Sequence, residues 1–306
     1  MSKFDQYIQP TPLRPRFAPT LTAILLGTGT PRAYPNAAKA GVVVLAGERA
    51  LLVDCGGETV RQLIACGVMP HRIEDVFWTH HHSDHNSGFF DLFISGWRTH
   101  VGVIEERKCA LRVYGPTNTR DVIEPIHRAM SYDIGFRLSY NKSNPQGAQI
   151  EYSMLDEGVI YDVDGLRVTS FLVDHRPVEP AVGYVFEYGG KKLVISGDTR
   201  PVPQMIEYSK GADLLIHEAF QRDWLDGMAL ENPQFATQVL NPAKYHTTTL
   251  EAAQIARDAK VKHLVLTHHI PQPAHNAEAE SAYTKGMSEI YDGKFTIGRD
   301  LMEFAL

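Results

Sequence analysis

A chain of 306 residues with 43% hydrophobic and 22% charged residues is sized for one large α/β domain and has the composition of a globular enzyme. Its formal net charge of −6 and the lack of any Lys/Arg run argue against a nucleic-acid grip, which normally shows a basic patch. Cys55, Cys66 and Cys109 have no metal-binding spacing and cannot complete a disulfide framework, and no window approaches the roughly 18 apolar residues of a membrane span. The first apolar run is too short for a signal sequence, so a cytoplasmic protein with reduced thiols and no membrane partner is expected.

Residues 1–20 are polar and proline-rich and read as an arm over the surface. The run 21–26 reads as a buried strand ending in Gly27-Thr28-Gly29-Thr30-Pro31; its glycine spacing fits neither phosphate-binding pattern, so a tight turn is expected. Residues 42–45 and 50–53 form strands joined by a hairpin at Gly47-Glu48, and 58–66 form a helix stopped by Gly67. The next strand, 76–79, runs into Thr79-His80-His81-His82-Ser83-Asp84-His85. A helix over 86–98 places Phe89, Phe93 and Trp97 on one face, a core pattern. A strand at 111–114 and a helix at 119–130 follow, and 131–158 reads as an insertion or cap. Strands are expected at 159–163, 166–173, 182–188 and 192–196, a helix at 201–209, a strand at 213–216, a polar segment up to His246, a helix at 250–259 and a strand at 261–266.

Four metal-binding side chains, His80, His82, Asp84 and His85, fall within six residues of the 79–85 stretch. His80 and His82 are two apart, so on an extended segment their rings point the same way, whereas His81 points away and is read as structural. Asp84 and His85 come where the chain turns into a helix and face the same volume from another side. So many donors suit two adjacent ions better than one, and imidazole with carboxylate suits zinc, with iron or manganese as options. His175, Asp198 and His268 each end a later apolar strand. A weak internal repeat pairs 50–54 with 192–198 and 76–81 with 264–269, which suggests two β-rich halves with helices outside: a four-layer αββα sandwich. One domain spanning 1–306 is expected.

The pattern H-x-H-x-D-H resembles the signature of the metallo-β-lactamase superfamily of dinuclear metallohydrolases, and the resemblance covers roughly residues 20–300. It implies the same αββα fold and two metal ions, zinc above all. By resemblance, His80, His82 and His175 hold one ion, Asp84, His85 and His268 hold the other, and Asp198 bridges them. His268 is preferred to His269 because the family's ligand directly follows a Leu-Thr pair. Asp84 also orients an attacking metal-bridging hydroxide, and Asp54 stands behind a ligand histidine. Ser196-Gly197-Asp198-Thr199, His217-Glu218-Ala219 and His246-Thr247-Thr248 resemble the ribonuclease Z branch, which includes arylsulfatase-like and phosphodiesterase-like hydrolases. There the residues matching Glu218 and His246 pair, and the histidine assists the leaving group.

Asp198 follows His175 by only 23 positions, which leaves no room for the long arm with which ribonuclease Z holds transfer RNA. With the acidic charge, this points to a hydrolase of small-molecule phosphodiesters or aryl sulfate esters and away from nucleic acid as a partner. The transfer-RNA 3′-end endonuclease stands as the alternative; a lactonase or phosphotriesterase, or a non-catalytic metal-binding module, follows further behind. A homodimer is expected from the resemblance and from the aromatic residues around 89–97.

Overall fold

The structure, a computed structural model, describes residues 18–101, 103–155 and 157–306. The expected N-terminal arm lies outside the described residues up to residue 17, and residues 18–20 already belong to the first strand. In chain order the elements are β1 (Ala18–Gly27), β2 (Gly41–Gly47), β3 (Arg49–Val53), α1 (Thr59–Ala65), β4 (Asp75–Phe77), α2 (Ser83–Asn86) and α3 (Phe89–Trp97). There follow β5 (Arg98–Val101), β6 (Val103–Glu106), β7 (Leu111–Gly115), α4 (Thr119–Ala129), α5 (Ser131–Ser139) and β8 (Ile150–Met154). Next come β9 (Gly158–Val163), β10 (Leu166–Val173), β11 (Ala181–Tyr188), β12 (Lys191–Ile195), α6 (Pro203–Ser209), β13 (Leu214–Phe220), α7 (Arg222–Glu231) and α8 (Ala236–Leu240). The chain closes with α9 (Thr249–Asp258), β14 (His263–Ile270), α10 (Ala277–Tyr283), α11 (Met287–Ile290), β15 (Lys294–Ile297) and β16 (Glu303–Ala305). Among the described residues, no helix is long and apolar enough to cross a membrane.

The chain divides into two compact units, one of residues 18–27, 38–154 and 300–305, the other of residues 28–37, 155–299 and 306. The first unit's sheet has the order β16-β1-β2-β3-β4-β7-β8. It is antiparallel from β16 to β3 and parallel from β3 to β8. The second unit's sheet, β15-β14-β13-β12-β11-β10-β9, repeats this division: antiparallel from β9 to β12, parallel from β12 to β15. In a sheet of this kind, residues just past the carboxyl ends of parallel strands line the crevice where ligands bind.

Burial follows the two periodicities. In the first unit Ile24, Leu26, Val43, Leu45, Leu52 and Val76 form one sheet face against Val60 and Leu63 of α1 and Phe89, Phe93 and Trp97 of α3. The 89/93/97 stripe is therefore core, as its spacing predicts. Each fully buried aromatic of this set contributes roughly 1.5–3 kcal/mol of transfer free energy. In the second unit Val185, Val194, Leu215, Leu264 and Leu266 pack on Met205 of α6 and on Ala252, Ala253, Ile255 and Ala256 of α9. α9 starts with a capping box, Thr248 accepting from the Glu251 amide while the Glu251 carboxylate accepts from Thr248. Cys55 is buried and its thiol is pushed up by burial, so it packs rather than reacts.

The structure departs from the expected elements at several points, and β5, β6 and the elements from α10 to β16 had no expected counterpart. Residues 131–158, read from composition as an insertion or cap, supply α5 and β8, and β8 pairs in parallel with β7 as the sheet's edge strand. The polar segment before His246 holds α7 and α8, whose weak apolar pattern reflects their half-exposed faces. β13 and β14 run past their apolar cores, to Phe220 and Ile270, so polar residues expected beyond the strands are paired within them.

Candidate metal centre

In the first unit, the exit of β3 builds the support for the histidine loop. Asp54 adopts a left-handed backbone (φ 57°) that turns its carboxylate back on the chain. Oδ1 accepts from the Thr79 amide (2.8 Å), and Oδ2 accepts from the Thr79 hydroxyl (2.9 Å) and from His85 Nδ1 (2.7 Å). The single Thr79 hydroxyl proton goes to Asp54, so at the 3.0 Å contact between Thr79 Oγ1 and His80 Nδ1 the imidazole donates. Both rings thus carry their proton on Nδ1 and turn Nε2 into the atom that could ligate a metal ion, the kind of outer support that orients metal-binding histidines. His80 Nε2 stands 3.0 Å from His82 Nδ1. Two nitrogens on one tetrahedral zinc with bonds of ~2.0–2.1 Å are about 3.3 Å apart, so this pair has the spacing of a shared ion. A second pair lies beside it, Asp84 Oδ2 at 3.6 Å from His85 Nε2. His81 turns away to Thr119 Oγ1 (3.1 Å) and sets its ring edge-on to Trp78, in the structural role expected of it.

Backbone contacts fix this loop as tightly as side chains do. The Cys55 amide donates to the His85 carbonyl (2.7 Å), and the Gly88 amide donates to the Cys55 carbonyl (2.8 Å). Gly56 is required by this approach: a Cβ there would lie 2.3 Å from the Asp84 carbonyl oxygen and 2.7 Å from that of Ala40. Gly56→Ala is expected to cost about 1–3 kcal/mol, as overpacking does elsewhere. A thermal melt indistinguishable from wild type would show that the loop yields without cost.

In the second unit, one carboxylate stands between two imidazoles. Asp198 Oδ2 is 3.8 Å from His175 Nε2 and 3.4 Å from His268 Nε2, and all three side chains are buried. His175 Nδ1 donates to the Tyr245 carbonyl (3.0 Å), which again makes Nε2 the atom that could ligate a metal ion. His268 owes its position to a bulge. The β13–β14 register steps from Glu218↔Thr267 to Ala219↔His269, so His268 is the extra residue, with φ 46°. Such a bulge re-aims one side chain out of the ladder. The next residue, His269, is committed at both nitrogens, Nδ1 to the Tyr283 hydroxyl (3.0 Å) and Nε2 to the Gly298 carbonyl (2.8 Å), and burial lowers its pKa to about 4.

Glu218 and His246 meet in the same unit. His246 Nδ1 is 2.8 Å from Glu218 Oε1, which also accepts from the amides of Thr199 (3.0 Å) and Thr247 (3.3 Å). Burial and then the Asp198 charge push the Glu218 carboxyl upward, whereas His268 and the two amides act in the opposite sense. Asp198, His246 and His268 each bring a donor atom to within 4.8 Å of the others, so His246 sits close enough to share an ion. His217 is buried, with Nδ1 on the Glu218 carbonyl (2.7 Å) and its pKa lowered by burial to about 4. The support from Thr79, the Thr199 amide and the Tyr245 carbonyl has no counterpart in the sequence reading. Thr79, directly before His80, is the one that carried a signal; backbone amides and carbonyls carry none. The donors fit divalent cations: imidazoles with assigned Nε2 faces in both units, and a carboxylate facing two of them.

Residues 49–269 match the family model of the beta-lactamase superfamily domain. Ribonuclease Z of Mycobacterium marinum is 32% identical over 277 residues, covering 90% of this chain and 95% of that one. Ribonuclease Z of Mycobacterium sp. strain KMS is 34% identical over 258 residues, covering 84% and 86%. The human short-form tRNase Z structure is 25% identical with a TM-score of 0.66, covering 93% and 98%. A metallo-β-lactamase-fold protein of Bacillus subtilis matches with a TM-score of 0.68 at 19% identity, which supports the fold. These relatives overturn the expectation of a small-molecule substrate and the argument against nucleic acid. The short spacing from His175 to Asp198 does not set the chain apart from this group, because a relative matched over 95% of its own length bears the name ribonuclease Z. Net charge fails because it sums the whole chain and is blind to local surface. Two mixed sheets flanked by helices are the expected α/β fold, and with a match over more than half of its length the chain belongs to the metallo-β-lactamase superfamily.

Proposed function

We propose that this chain is a metal-dependent endoribonuclease of the ribonuclease Z type, hydrolysing a phosphodiester bond of RNA. The observation that carries it is the near end-to-end match to proteins named ribonuclease Z, joined to an arrangement suited to ester hydrolysis. His80, His82 and His175 would hold one cation, Asp84, His85 and His268 a second, with Asp198 shared; zinc suits this donor set, with manganese or iron as options. When bound, such ions supply Lewis acidity toward a phosphoryl oxygen and lower the pKa of water. The chain's own groups do the rest. Asp84 orients the attacking oxygen through its carboxylate. Asp54, Thr79 and the Tyr245 carbonyl hold His85, His80 and His175 in one tautomer. Glu218 holds His246 by Nδ1, so that Nε2 can deliver a proton to the departing ribose oxygen, a poor leaving group without help.

The test is cleavage of a precursor transfer RNA bearing a 3′ trailer by the metal-loaded protein. A defined cut at the trailer junction, abolished by chelation and restored by zinc or manganese, is the expected result. Failure to cut any RNA at micromolar enzyme, with both ions bound, would overturn the reading.

A further inference from the structure

α5 carries an exposed aromatic stripe that the fold of the first unit does not use. Tyr132 and Phe136 stand four residues apart on α5, Tyr140 follows at its C-terminal cap, and the three are 89%, 51% and 76% exposed. Phe136 and Tyr140 stack on each other, with ring centroids 5.2 Å apart and planes at 17°. The opposite side of α5 does the packing, through Ile134 and Leu138. Clustered exposed aromatics of this kind mark interaction sites rather than folding contacts. In sequence, residues 128–149 hold Arg128, Arg137 and Lys142 against Asp133 alone, in a protein of net charge −6, and Arg128 also lies within electrostatic reach of Glu124 on α4. Arg137 already neutralises Asp133 (2.6 Å), while exposed Arg128 and Lys142 flank the stripe in sequence. The stripe is also linked to the histidine loop. His81 bonds Thr119 at the first turn of α4, and α4, 11 residues and so roughly 16 Å long, leads directly into α5.

We propose that the α5 face binds single-stranded RNA, stacking bases on Tyr132, Phe136 and Tyr140 while Arg128 and Lys142 contact phosphates. This rests on the ribonuclease reading and names a surface with which that activity would hold its substrate. Aromatic rings bordered by cations are what sequence-tolerant binding of unpaired RNA requires, since every base has a π-face and every linkage a negative charge. A second copy of the chain is the less suitable occupant, because a two-fold pairing through this face would bring two net-positive patches together.

The test compares wild type with the triple variant Tyr132→Ala/Phe136→Ala/Tyr140→Ala, whose side chains lie outside the core. Substrates are the trailer-bearing precursor transfer RNA and bis(4-nitrophenyl) phosphate. The expected result is a KM for RNA raised about 10- to 100-fold with hydrolysis of the small diester unchanged. A triple tryptophan variant at the same positions should retain RNA binding. Arg128→Gln/Lys142→Gln should flatten the slope of log affinity against log salt by about 1.4, two single-strand phosphate contacts. If wild type cuts RNA and the alanine variant matches it, the α5 proposal is overturned and the ribonuclease reading stands. If the variant loses RNA binding because a wild-type dimer dissociates, seen by light scattering, α5 is a self-interface and the proposal is overturned. If wild type neither binds nor cuts RNA, both fall.

Discussion

Asp198→Ala is expected to empty the centre of most of its metal and to lower turnover by about a thousandfold or more, since stabilisation by the ions is worth several kcal/mol and each ~1.4 kcal/mol is tenfold. The reason lies in geometry internal to the second unit. One carboxylate oxygen faces both His175 Nε2 and His268 Nε2, at 3.8 Å and 3.4 Å, so its removal withdraws a donor and a negative charge from two cations at once. Asp198→Asn separates the two contributions, because it keeps the shape and removes the charge. Elemental analysis of protein prepared without chelator should find about two ions per wild-type chain and fewer than one in the alanine variant, as a two-metal site requires. An alanine variant that keeps both ions and most of its activity would show that Asp198 is not the shared ligand. Acid should reproduce the loss in wild type, because imidazoles must be neutral and carboxylates ionised to bind.

His246→Ala is expected to discriminate between leaving groups. General-acid help is typically worth about 10²–10⁴ in rate, and only a leaving oxygen that needs a proton benefits from it. An RNA linkage, departing as a ribose alkoxide, should lose nearly all of that factor. A nitrophenyl diester, departing as a stabilised phenolate, should lose little. Glu218→Gln should show a smaller loss with the same selectivity, because Glu218 acts on the proton only through the ring it holds at 2.8 Å. Metal content separates the two roles open to His246. It stands with Asp198 and His268 in one group of donors. Retained metal with a leaving-group-dependent loss marks a proton donor. Lost metal with equal losses on both substrates marks a ligand instead.

Local rules carried the reading as far as strand ends. The alternation in His80-x-His82, the stop of an apolar run before Asp198, and the helix after Asp84-His85 are one- to six-residue patterns, and the backbone obeys them wherever the segment lies. That is why the motif residues appear on the elements expected of them, and why Phe89, Phe93 and Trp97 are core. The extents of β13 and β14 were not legible, since their last residues are held by ladder bonds to a neighbouring strand rather than by their own propensity. α7 and α8 escaped because half-exposed helices carry a weak apolar period.

Within the centre, the sequence by itself determined which donors exist and that they cluster at strand ends; the tertiary structure decided how each is aimed. His268 and His269 are adjacent and chemically identical. A bulge turns the first toward Asp198, while Tyr283 and Gly298 hold the second in the core. His175 is oriented by a carbonyl 70 residues away, and Glu218 by two amides whose donors have no residue-type signature. The choice of substrate lay further still from local pattern. Net charge is a sum over the chain, whereas a polyanion meets only the surface it touches, and the folding of 131–139 into a helix is what gathers Tyr132 and Phe136, with Tyr140 at its C-terminal cap, into one exposed group.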